Sequence, residues 1–230
     1  MKKSFKLLIT VFGFIVLMFC FYIYKLHSLA IEGNRIFELR CTTVNPPLIA
    51  YKNAFLKQAD IVNKQDTSKS AIDDYVTYYG DYISEMKKYV VEENKWLEIN
   101  KKYLNRWDSK LIEPWYMKQA GEYQLKMYEA YRDDAQGILD IGDGKISVDE
   151  VSLDYSKARE KLDNAKQKYF DFFDQASALS DWRKIFSYLP VPDGCNEENM
   201  AIPDTSGSIN WNGTPTPPPK VIPGLEDFSG

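Results

Sequence analysis

The sequence predicts an all-α protein: an elongated up-down helical bundle of three to four helices with coiled-coil-like packing, behind a single N-terminal transmembrane helix. Three observations carry that expectation. Leu7 to Tyr24 is a run of 18 residues without a charge. Apolar and aromatic residues recur at helical spacing from Leu48 to Leu179, and strand-like alternation is absent.

At about 1.5 Å per residue the apolar run covers roughly 27 Å, close to what a bilayer core requires. Lys2, Lys3 and Lys6 precede it, which favours a cytoplasmic N-terminus (1–6), a signal-anchor over 7–24 and a body on the outer side. Lys25, Arg35 and Arg40 on the far side temper that bias. Ser28-Leu29-Ala30 has the form of a cleavage site, so secretion after cleavage near Ala30 is the alternative. The length of the run and the position of Lys25 favour retention. Cys20 follows bulky Met18 and Phe19, so it reads as a buried thiol and not as a lipidation site.

A polar connector (25–46) ending in Pro46-Pro47 then leads into a helical body (47–190). The first helix, Leu48 to Asn63, offers Leu48, Tyr51, Phe55, Ala59 and Val62 on one face. The second runs from Ser70 to Trp107 and opens on a capping box, Ser70-Ala-Ile-Asp73. In it an aromatic residue returns every seventh position: Tyr75, Tyr82, Tyr89, Trp96 and Tyr103. Such a repeat stays on one side only if the helix supercoils left-handed, as helices in bundles do. Glu93 and Asn100 interrupt the stripe and read as a solvated edge, with register-setting as the other option.

A third helix begins at Pro114, a favoured first position, and carries Tyr123, Met127, Tyr131 and Ala135 toward Leu139. The last, capped by Ser147-Val-Asp-Glu150, spaces Val151, Tyr155, Ala158, Leu162, Ala165, Tyr169 and Phe172 by fours and threes. Small Ala158 and Ala165 suit the rings of the second helix, so these two helices are expected to pack, with Leu162 in the same core. From Pro190 the composition shifts: eight of the 11 prolines lie there, since only Pro46, Pro47 and Pro114 come earlier. Residues 191–230 therefore read as a Pro-rich extended tail, with Thr214 to Pro219 in polyproline II.

Charge narrows the partners. The formal net charge is −4, and after the four lysines of the first 30 residues the rest holds 25 basic against 33 acidic residues, or −8. Nucleic acid is a poor partner for such a surface, because that affinity comes mostly from Lys and Arg displacing counterions. The partners expected are the membrane and another protein, or a second copy of the chain.

Catalytic equipment is sparse. The single histidine, His27, flanks the apolar run, so no Ser-His or Cys-His pair and no His-based zinc site is available in the body. Residues 139–150 resemble an EF-hand calcium loop at Asp143, Gly144, Ser147 and Glu150, but its first and third ligand places are Leu139 and Ile141. A tight turn before a capped helix accounts for the same residues. Asp143, Ser147 and Glu150 are the only metal candidates, and no cofactor is expected. An even-numbered bundle brings its two ends together, which places Cys41 near Cys195 at the membrane side, where an oxidising compartment permits a disulfide.

The function these features imply is an anchored, exported protein acting by contact, as an adaptor, assembly or structural component, and not by catalysis. An extracytoplasmic ligand-binding or sensing domain that signals through a partner is the alternative.

Overall fold

The computed structural model describes residues 2–113, 115–142, 160, 163–165, 167–172, 174 and 182–205. Among them the protein is all-helical, with helices packed on one another. The elements are α1 (Lys2–Leu39), a π-helical turn (Arg40–Val44), α2 (Asn45–Lys64), α3 (Lys69–Leu104), α4 (Trp107–Ile112), α5 (Trp115–Gly142), α6 (Arg183–Ser187) and α7 (Glu197–Met200).

The stretch 25–46 is not a connector. The apolar N-terminal helix runs on through it to Leu39, and the π-turn passes the path straight into α2. Leu26, Leu29, Ile36 and Val44 are buried at intervals of three, seven and eight, so one face of this stretch is core despite its polar composition. The π-turn has a local cause. Pro46 and Pro47 occupy the first positions of α2, where they lack N–H donors and their rings crowd the preceding turn. The backbone widens, and the Asn45 N–H reaches the Arg40 carbonyl instead. Thr42 and Thr43 donate their hydroxyls to the carbonyls of Glu38 (2.9 Å) and Leu39 (2.7 Å).

After Gln65, in the left-handed region at φ 53°, the chain reverses into α3. The cap is Ser68, not Ser70: its hydroxyl accepts from the Ala71 N–H at 3.2 Å, while the Asp66 carboxylate holds the Ser68 N–H. The helix stops at Leu104, so Trp107 begins α4 and is 72% exposed instead of closing the stripe.

The main core joins Ile36, Val44, Leu48, Met86, Tyr89, Val90, Trp96, Leu97, Ala135 and Leu139. Helix α5 crosses α3 antiparallel, with Gly121 against Leu104, Tyr128 edge-on to Trp96 at 5.1 Å, and Arg132 bonded to Asn94. A side chain at Gly121 would sit 2.9 Å from the Leu104 methyl, so glycine permits this approach. Residues 163–165 and 167–172 are helical and pack on α5: Ala165 lies with Met127, Tyr131 and Tyr169, and Phe172 stacks on Tyr123 at 5.2 Å. Ala165 thus faces α5, not the rings of α3. Ala158 and Leu162 lie outside the described residues.

The first part of the expected tail is a docked strap. Residues 182–205 climb along α1 and α2 through His27 to the Phe186 carbonyl, Asn34 to Pro190, Asn45 to Asn199 and Lys52 to Pro203. At Gly194 a Cβ would meet the Thr42 methyl at 2.8 Å, so only glycine fits against the rod there. Residues 206–230, including Thr214 to Pro219, lie outside the described residues.

Candidate functional site

Two features of the body stand out chemically: a charged lock in its interior and an uncovered apolar stripe at its far end. The lock forms where the π-turn meets α3 and α5. Arg40 is 3% exposed and Glu93 0%, and Arg40 Nη1 donates to Glu93 Oε1 at 2.6 Å. Tyr128 of α5 lies under the guanidinium at 3.4 Å from its ring centroid, with Trp96 at 4.7 Å. The Trp96 indole N–H is itself fixed by the Ile36 carbonyl at 2.7 Å. One cation therefore ties α1, α3 and α5 together.

Burial opposes the Arg40 charge, yet the adjoining Tyr128 and Glu93 hold its pKa above the ordinary value. Burial pushes the Tyr89 phenol well above its usual range, and the Glu93 carboxylate adds to that. Among the described residues the buried Asn45 Oδ1 has no hydrogen-bond partner, and the Tyr89 phenol lies beside the Glu93 carboxylate. Glu93 and Asn100 are therefore interior residues, which overturns the solvated-edge reading. The signal for this was present: a charge placed within an apolar heptad register implies a buried counter-charge. Arg40 escaped notice because its surroundings are polar in composition.

The expected core residues are not equivalent. Tyr89 and Trp96 are buried, Tyr82 and Tyr103 are half-buried, and Tyr75 is 37% exposed. Tyr103 donates to the Leu29 carbonyl at 3.1 Å and to the Glu113 carboxylate, which also accepts from the Ser109 hydroxyl. Arg106 bridges Glu32 and Asp108 beside them, holding the Asp108 carboxyl below the usual range. This second polar cluster fastens α4 to α1.

Toward its N-terminal end α3 leaves Ile72 (53% exposed), Tyr75, Val76 (63%) and Tyr79 (46%) in one stripe at helical spacing. No lysine or arginine occurs from Ser70 to Met86, whereas Asp73, Asp74 and Asp81 border the stripe.

Cys41 and Cys195 are joined, with their sulfurs 2.10 Å apart. The pair does not lie at the end of the apolar run, where it was expected, because α1 continues: Cys41 follows Tyr24 by 17 residues, about 26 Å of helix. It clamps the strap to the π-turn, one residue from Arg40. Cys20 is exposed on α1. Among the described residues no group of three or more His, Cys, Asp or Glu could hold a metal ion, and Asp143, Ser147 and Glu150 lie outside those residues. No protein-family model matches the chain, and neither the curated proteins nor the solved structures provide a match.

Proposed function

We propose that the protein is an N-terminally anchored, exported component that works by protein–protein contact, as an adaptor, assembly or structural element, and not by catalysis. In this reading α1 crosses the membrane once with its N-terminus cytoplasmic, and an up-down bundle of three to four helices stands outside. The observation that carries it is the stripe of Ile72, Tyr75, Val76 and Tyr79. Large apolar side chains left in water forgo about 1.5–3 kcal/mol each, which docking would recover. The acidic border specifies the chemistry of the partner: an apolar helical face with basic residues along its rim. Support also comes from the mounting, since some 40 residues of helix, about 60 Å, separate Tyr24 from Lys64 near the stripe.

The test is cross-linking in native membranes, comparing the full chain with Ile72→Asp/Val76→Asp and with a chain lacking 206–230. The expected result is a discrete cross-linked species, hetero- or homomeric, that the double aspartate variant loses while its thermal unfolding is unchanged. Identical cross-links in the variant, or none in any form, sink the contact reading.

A further inference from the structure

We propose that the body carries an apolar collar that seats in the outer interface of the phospholipid bilayer, so that the protein is held by both a helix and a monotopic contact. This rests on the membrane-anchor reading and extends it to α4, α5 and α6.

The body begins to pack on α1 before the apolar run ends. The Trp182 ring stacks on Phe19 at 5.6 Å and lies 6.2 Å from Tyr22, whose hydroxyl donates to the Ile112 carbonyl at 3.0 Å. Leu7 to Met18, the part of the run ahead of that contact, is 12 residues or about 18 Å, which is short of the roughly 30 Å of a hydrocarbon core. The last stretch of the run, Phe19 to Tyr24, covers about 8 Å with α4 and α6 fixed beside it. That thickness matches the depth at which interfacial segments settle, about 5–10 Å into the headgroup and acyl boundary.

The side chains at this level have the composition the interface selects. Leu111 is 74% exposed, Ile185 76%, Trp115 59% and Trp182 48%. On the same turns of α1, Phe21 and Tyr24 are 56% and 67% exposed. Tryptophan and tyrosine prefer the lipid–water boundary, where a ring can be apolar at one end and wet at the other. Soluble surfaces seldom gather apolar side chains of this size without an occupant. The contact of Trp182 with Phe19, the short length of α1 ahead of it and this apolar surface together point to lipid as the occupant.

The experiment uses the full chain reconstituted into phosphatidylcholine–phosphatidylglycerol vesicles, with and without lipids brominated high on the acyl chain. Flotation reports the anchor, and tryptophan quenching reports the collar. The expected result is flotation with a loss of emission in brominated vesicles, most of which disappears in Trp115→Phe/Trp182→Phe. A second variant, Leu111→Asp/Ile185→Asp, keeps both reporters and should reduce the quenching. Protein that floats but emits equally in both vesicles overturns the collar and leaves the anchor standing. Failure to float overturns both.

Discussion

Arg40 and Glu93 meet across 53 positions of sequence as a bonded ion pair with almost no exposed surface. Taking two charges out of water is costly, and the cost is offset here by the short contact and by two aromatic faces on the guanidinium. Removing one partner leaves the other stranded. Arg40→Met or Glu93→Leu alone should lower stability by about 3–5 kcal/mol, whereas the double variant should recover most of that loss. Denaturant unfolding in detergent, followed by far-UV ellipticity, measures all three. Two single losses that simply add in the double variant would show that the pair is not the unit.

Tryptophan 96 stiffens the same lock from the side. Replacing it with phenylalanine removes the hydrogen bond to the Ile36 carbonyl, whose acceptor is buried, and weakens the contact with Arg40. Trp96→Phe should cost about 0.5–1.5 kcal/mol, the net worth of one intramolecular hydrogen bond. The same unfolding measurement, together with a loss of the environment-shifted fluorescence of this residue, checks it.

How far the sequence announced this arrangement depends on the kind of signal. Helices α2, α3 and α5 were legible because apolar spacing is a local property, and so was the junction at Pro46-Pro47. The heptad aromatics marked Tyr89 and Trp96 well but not Tyr75, since periodicity describes a face without saying what covers it. The continuation of α1 through 25–46 was hidden by polar composition: Arg40 and Asn45 read as connector residues, yet they are buried because charge and amide find partners on α3 and on the strap. Cys41 and Cys195 could be paired from compartment and topology. Their height above the apolar run could not, because it depends on that same hidden helix.

The disulfide holds the strap as much as the body. Its closed loop spans 154 positions, and in the chain-entropy model such a crosslink contributes about 5 kcal/mol at 25 °C, less any strain. Cys41→Ser/Cys195→Ser should therefore unfold at markedly lower denaturant. It should also release residues 188–205, whose remaining ties are a few bonds such as Asn45 to Asn199 (2.8 Å) and Asn34 to Pro190 (3.1 Å). Hydrogen exchange resolved along the chain should show faster exchange in the strap than in α3. Equal protection before and after the change would mean that the strap docks by itself.

Alkali should open the protein through its buried phenols. Tyr51, Tyr89, Tyr103 and Tyr169 all have pKa values raised by burial, with Glu93 adding at Tyr89, Tyr82 at Tyr51, Glu113 at Tyr103 and Tyr128 at Tyr169. A raised folded-state pKa means the fold keeps a proton that the unfolded chain gives up near pH 10. The stability from these groups is complete below about pH 10 and is lost as pH rises above it toward the folded values, at about 1.4 kcal/mol per pH unit for a fully buried ring such as Tyr89. Tyr103 is more open and contributes less. Phenolate absorbance should accordingly rise in two stages, exposed tyrosines first and the buried ones together with the loss of helical ellipticity. Tyr89→Phe removes one of these phenols, so its unfolding midpoint should move to higher pH. A midpoint that stays put or falls would assign the alkaline transition to other groups.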